Sequence, residues 1–299
     1  MVYQKVVTLF LMDDGLSSGR IKCSMKNWTG VVYLVPRTEL SRSADIGALS
    51  QTGIYLLFGT DTKSGEEKLY VGQAGERKRD KHKRVKIKGV LNRVREHLTE
   101  EKHDYFTHAI MIVGSDNSLG STEISYLENA FYNQAKTADR MVVTNANDPS
   151  AGNVTEEQKA WLDEFISNAL ILIRALGYRA FDAPDSERSE AEPLLYLNFK
   201  DNSAHATGRQ TNDGFVVLAG SKIRATTTTS VPPSAIKNRK RFADRLDADG
   251  VLKRDIPFDS PSAAAEFLTG ASVSGKRYWK NSEGIPLKEL ERRELESIP

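Results

Sequence analysis

Cysteine is almost absent from this chain of 299 residues: Cys23 stands alone. An intrachain disulfide is therefore excluded, as is a thiol-rich zinc site, which fits a reducing compartment. Long apolar runs are missing too. VVTLFLM, near the N-terminus, is too short to span a bilayer and is followed by no small-residue cleavage pattern, so a cytoplasmic protein without a signal peptide or a membrane partner is expected. Charge of one sign is not in excess. With a net charge of only +2, any attraction to a polyanion has to come from local clustering. No phosphate-cradling glycine loop, serine nucleophile elbow, paired Cys/His cluster or internal repeat is present. Four histidines, His82, His103, His108 and His205, are scattered and read as surface or internally satisfied groups.

What is present is an ordinary globular composition, 39% hydrophobic and 27% charged, enough for one or two domains with a real core. Residues 3–12 read as a strand, and RIKCSMKNWTGVVYLVP as two more around Asn27 to Gly30. Arg37 to Ser50 reads as a short connecting helix or loop. GIYLLFG and KLYVG follow, two apolar runs separated by a spacer rich in Gly, Asp, Thr and Ser. They predict a β-hairpin with Tyr55 in one strand and Tyr70 in the other. Two tyrosines in adjacent strands are by themselves equally consistent with packing.

Directly after the hairpin, eight lysines and arginines crowd the stretch Arg77 to Lys88: Arg77, Lys78, Arg79, Lys81, Lys83, Arg84, Lys86 and Lys88. A field of one sign in that place suits a phosphate backbone. GVLNRVREHL then reads as a helix burying Val90, Leu91, Val94 and Leu98. At ~100° per residue, Arg93 and His97 project from one flank of it and Arg95 from the other. THAIMIVG predicts a third strand pairing with the hairpin. The next helix, Thr122 to Lys136, turns Ile124, Leu127, Phe131 and Ala135 inward and sets Glu128 at the border of that stripe. Asn145 and Asn147 end the short apolar run that follows.

With these pieces in order, the chain resembles the GIY-YIG nuclease family over about Thr52 to Asn147. GIY lies at Gly53 to Tyr55, and YVG stands in place of YIG at Tyr70 to Gly72. The helical pair Arg93 and His97, Glu128 on a later helix and Asn145 downstream complete the pattern. The resemblance implies a metal-dependent endonuclease acting on DNA, with Glu128 holding one Mg²⁺ or Mn²⁺ ion and Arg93 opposing charge on the phosphate. Tyr55, Tyr70 and His97 are candidates to move the proton of the attacking water. A phenol, with a pKa near ~10, is a poor base at neutral pH without help. The residues alone do not choose between the tyrosines; the reading favoured is Tyr55 with His97 assisting, Tyr70 orienting water or phosphate, and Asn145 fixing the geometry. The competing expectation is a nucleic-acid-binding or scaffold protein that keeps the fold without cleaving.

Beyond this region, Thr155 and Gln158 form a capping-box pattern ahead of a long helix that Gly177 ends. FDAPDSERSEAEP reads as the linker. LLYLNFK and GFVVLAGSKIRATTTT predict strands, KNRKRFADRLDADG a basic helix running to about Gly250, and SPSAAAEFLTG a helix capped by Ser260. This part resembles a small α+β domain of undefined function that accompanies GIY-YIG and restriction-related proteins, either a docking module or a DNA binder through Lys237, Arg239, Lys240 and Arg241. The expected organisation is thus α+β: a β extension over 1–50, a nuclease core of a small antiparallel sheet flanked by helices over 51–150, a connecting helix over 151–182, a linker over 183–193 and an accessory α+β domain over 194–299.

Overall fold

A computed structural model of the chain describes residues 4–75, 89–182, 193–200, 203–211 and 214–296. The α+β class expected from the sequence is what it shows. The chain divides into two compact units, Met1–Asp182 and Ala183–Pro299. The basic stretch Arg77 to Lys88, with all eight of its named cations, lies outside the described residues.

In the first unit the strands are β1 (Val7–Leu11), β2 (Ile21–Met25), β3 (Gly30–Pro36), β4 (Gly53–Thr60), β5 (Glu67–Ala74), β6 (Phe106–Gly114) and β7 (Val142–Val143). They form one sheet in the order β1-β2-β3-β6-β4-β5-β7, antiparallel throughout except for the short β5–β7 pair. The N-terminal extension is continuous with the rest, because β3 pairs with β6 along its whole length from Gly30 to Pro36. The Arg37 to Ser50 connection, expected as a short helix or loop, makes three 3-10 turns.

Alternation along the strands sends side chains to two different cores. Ile54, Leu56, Phe58, Val71, Ile110 and Ile112 pack on one face against α2 (Ser121–Ala138) and α3 (Glu156–Ala175). Tyr55, Leu57, Ala109, Met111 and Val113 face the other way, against Val90, Leu91 and Val94 of α1 (Val90–Glu96). The hairpin turn is set by Asp61, whose carboxylate accepts from the backbone N–H groups of Lys63 and Ser64 at 2.9 Å each, with Gly65 supplying a positive φ of 64°. Long α3 starts with the expected reciprocal Thr155 and Gln158 cap and lies over β2 and β3.

The second unit holds a four-stranded antiparallel sheet, β8 (Leu195–Phe199), β9 (Ala204–Thr211), β10 (Gly214–Val217) and β11 (Ile256–Phe258), in the order β11-β10-β9-β8. Helices α4 (Pro233–Arg241), α5 (Pro261–Thr269), α6 (Gly275–Tyr278) and α7 (Leu287–Glu296) accompany it, and Trp279, Phe267 and Phe215 are fully buried at its centre. Two expectations are corrected here. The strand beginning at Gly214 stops at Val217 rather than running through the threonines, because the Asp255 carboxylate captures the Ala219 N–H at 2.7 Å and Gly220 turns the chain at φ 82°. The basic helix stops at Arg241 rather than near Gly250, where Phe242 turns into the core and a 3-10 turn follows.

A buried ion-pair group ties the β1–β2 turn to the 3-10 segment. Arg20 meets Asp13 at 2.8 Å and Asp45 at 2.7 Å, and its own backbone N–H donates to Asp13. The Arg20 hydrogen bonds hold the Asp13 carboxyl down at about 2. A depressed carboxyl stabilises the fold fully above its ordinary value of 3.8, and that contribution is lost as pH falls through about 2. Arg20→Ala should therefore lower the thermal midpoint at neutral pH by several degrees and flatten its fall between about pH 4 and 2, as read from melting curves across a pH series. Parallel curves for the two proteins would contradict it.

Candidate active site

Pairing register brings the hairpin tyrosines together. Tyr55 on β4 lies opposite Gly72 on β5 and Leu57 opposite Tyr70, so the two tyrosines are diagonal neighbours on one face of the sheet. Their rings stack with centroids 6.1 Å apart. A Cβ on Gly72 would run into the Tyr55 ring and hydroxyl. The glycine of the second triplet is thus the floor on which the phenol of the first lies.

Into this face α1 delivers its charged flank. Arg93 is half-buried and pairs with Glu96 at 2.7 Å. The helix ends at Glu96 rather than continuing through Leu98, and His97 opens a 3-10 turn, His97–Thr99, with a second turn at Glu101–His103. His97 is buried, and its Nε2 stands 2.8 Å from the Tyr55 hydroxyl while its Nδ1 faces the Glu100 carboxylate at 3.2 Å. Lys102 and His97 hold the Glu100 carboxyl below its ordinary range despite its partial burial, so Glu100 is an acceptor. The imidazole proton accordingly sits on Nδ1, and Nε2 accepts from the Tyr55 hydroxyl. Burial, above all, lowers the pKa of His97 and keeps it neutral. Arg95, on the other flank, is committed elsewhere: its guanidinium donates to the carbonyls of Leu40 and Ser41.

Glu128 reaches the same neighbourhood from α2. Its Oε2 accepts from Gln73 Nε2 at 2.8 Å. Burial raises its pKa, and the positive charge of Arg93 works in the opposite direction. Burial also raises both tyrosines, Tyr55 well above the ordinary phenol value; the charge of Glu128 adds to both shifts and that of Arg93 opposes both. Tyr55, Tyr70, Arg93 and Glu128 therefore share one electrostatic environment. Asn145 lies at the border of this group rather than within it: its amide accepts from Val71 N–H at 3.1 Å and donates to Val71 C=O at 2.7 Å, extending the β5 edge by one pseudo-strand position. Asn147 is exposed.

Several participants were not visible in the sequence. Gln73, Glu96 and Glu100 were not singled out, and His103 had been read as a surface or satisfied group. His103 is in fact buried, packed edge-on to Tyr70 at 4.6 Å and to His97 at 4.4 Å, and among the described residues neither of its ring nitrogens has a hydrogen-bond partner. His108 is half-buried beside Thr107, His205 is exposed, and His82 lies outside the described residues.

Comparison with known proteins reaches the second unit alone. Residues 196–291 match DUF4357, a domain of unknown function. No curated protein and no solved structure matches the chain. Within the DUF4357 region the four cations proposed for DNA differ in what they do. Lys237 and Lys240 are exposed and Arg241 is half-buried over the Phe242 ring. Arg239 instead donates to the carbonyls of Phe267, Arg224 and Leu268 at 2.8 to 3.0 Å, locking α4 to α5. A groove of about 770 Å³ in this unit is lined by Tyr196, His205, Arg277 and Lys280 among others, and by no carboxylate.

Gly72→Ala tests the site's geometry. The added methyl meets the Tyr55 ring, whose neighbours are packed, so a loss of ~1–3 kcal/mol in stability is expected, measured by urea unfolding. A neutral substitution would mean that the phenol does not lie over Gly72.

Proposed function

We propose that this chain is a metal-dependent endonuclease of the GIY-YIG kind that hydrolyses DNA phosphodiesters. The reading is carried by the convergence on one buried hydrogen bond, Tyr55 to His97 at 2.8 Å, of the groups phosphodiester hydrolysis calls for. Arg93 offers a permanent cation for the non-bridging oxygens, in a planar fork that lysine lacks. Glu128 is a single carboxylate, half-buried and with one oxygen held by Gln73. That donor set suits a hard, largely hydrated ion such as Mg²⁺ or Mn²⁺, since a cation would favour the ionised form that burial opposes. Bound there, the ion would supply Lewis-acid polarisation of phosphate oxygens.

The environment of Tyr55 also bears on the choice of base. With its pKa pushed up by burial, a free phenolate is not populated near neutral pH. The hydroxyl can still pass its proton to the neutral Nε2 of His97 as it takes one from the attacking water. The new P–O bond forms as the bond to the leaving oxygen breaks, the water's proton is relayed onto His97, and the departing oxygen takes its proton from solvent water. Glu100 keeps the Nδ1 proton in place and offsets the charge that the imidazole acquires. Tyr70, stacked on Tyr55, shields that hydrogen bond from water and can orient the phosphate. Lys237 and Lys240 are the second unit's candidates for backbone contacts, and Arg239, committed to carbonyls, is not among them.

With Mg²⁺ or Mn²⁺ the purified protein is expected to cut a panel of single-stranded, duplex and branched DNA. Glu128→Ala should abolish cutting while leaving DNA binding largely intact; Arg93→Ala and Tyr55→Phe should each lower the rate by roughly 10²-fold or more. Undiminished cutting by the Glu128 and Arg93 variants would overturn the reading. Binding without cutting across the whole panel would assign the chain to the non-cleaving nucleic-acid binders instead.

A further inference from the structure

His97 opens one 3-10 turn and His103 closes the next, with Glu100 the extended residue that joins them. The three side chains converge. Glu100 Oε2 stands 3.2 Å from His97 Nδ1 and 3.4 Å from His103 Nε2, and one ligand atom from each of the three residues lies within 4.8 Å of the others. Ligand atoms around a tetrahedral zinc ion, with bonds of ~2.0–2.2 Å, stand about 3.4 Å from one another. The second observation is His103 itself. It is 1% exposed, and both of its ring nitrogens are buried without a hydrogen-bond partner among the described residues. A buried imidazole left in that state costs stability unless something else satisfies it.

We propose that His97 Nδ1, Glu100 and His103 form a binding site for a divalent transition-metal ion of the zinc class, distinct from Glu128. Two imidazoles and one carboxylate are the donor set of open zinc sites, with a fourth position left for water, and they are a poor match for Mg²⁺, which prefers oxygen ligands. A neutral imidazole is the form that coordinates. Two cations nearby oppose a dication. Arg93 is offset by its ion pair with Glu96, and Lys102, 3.0 Å from Glu100 Oε2 with a side chain 70% exposed, is free to swing into solvent.

Occupation of this site changes the hydrogen bond at the centre of the molecule. An ion on Nδ1 displaces the proton there, so a neutral His97 carries its proton on Nε2 and donates to the Tyr55 oxygen instead of accepting from it. Where the nuclease reading holds, zinc therefore inhibits, because Tyr55 loses its proton acceptor. The binding claim itself does not depend on that reading.

The test is calorimetric titration of the full chain with Zn²⁺, with Co²⁺ absorption as an independent report of tetrahedral nitrogen and oxygen ligation. One equivalent is expected to bind the parent protein and Glu128→Ala alike, with affinity lowered about 10-fold or more in His103→Ala and in Glu100→Gln. The Gln variant keeps the side-chain shape, and circular dichroism verifies that both variants are folded. Equal zinc affinity in the parent and both variants, or no binding by the parent, would overturn the proposal. DNA cutting that persists while zinc binding fails removes this inference alone; zinc binding without any DNA cutting removes the nuclease reading alone.

Discussion

A phenol and an imidazole, both sealed from water, face each other between a hairpin strand and the turn that follows a short helix. Neither polar group could be buried at that depth alone, so each is a condition of the other's placement. Much of the first unit serves this contact. Gly72 lies under the phenol because no side chain fits there. Arg95 is anchored to the 3-10 turns preceding β4, which sets the position of α1 and with it the position of His97. Glu100 orients the imidazole from the far side. The same burial that makes the hydrogen bond necessary also sets its chemistry, raising the phenol and lowering the imidazole so that both groups are neutral and the proton stays on the phenol.

How much of this could be read from sequence depended on whether a regular period governed the residue. Tyr55 and Tyr70 fall on paired strands in the sequence because two short apolar runs flank a turn-rich spacer. Arg93 and Arg95 were separated by helical spacing, and the structure gives them different employment: one borders the tyrosines, the other clamps a loop. Glu100 and His103 escaped because they sit in TEEKHDYF, a polar stretch with the composition of a solvated connection. Its order comes from consecutive 3-10 turns, whose three-residue repeat is too short to stand out from chance. The helix through Leu98 was extended one turn too far for a related reason: apolar spacing continues where the backbone tightens.

In the second unit the failures were of another kind. Arg239 sits in a basic run where composition treats every cation alike, yet its guanidinium donates to three carbonyls, those of Phe267, Arg224 and Leu268. The strand from Gly214 was stopped by Asp255, a residue far along the chain, which no local pattern announces. The elements that were legible, such as α5 between Ser260 and Gly270, carry their start and stop signals in their own sequence. The DUF4357 match falls on this unit, so it says nothing of the tyrosine-bearing sheet.

The direction of the Tyr55–His97 hydrogen bond is the point on which the proposed chemistry turns, and it can be observed without substrate or metal. Nitrogen-15 NMR of the imidazole side chains in metal-free protein distinguishes a protonated from an unprotonated ring nitrogen. The expected result is a neutral His97 with its proton on Nδ1 and an Nε2 whose shift moves when Tyr55 is replaced by Phe. A His97 protonated on Nε2, or indifferent to Tyr55→Phe, would contradict a tyrosine that hands its proton to this histidine.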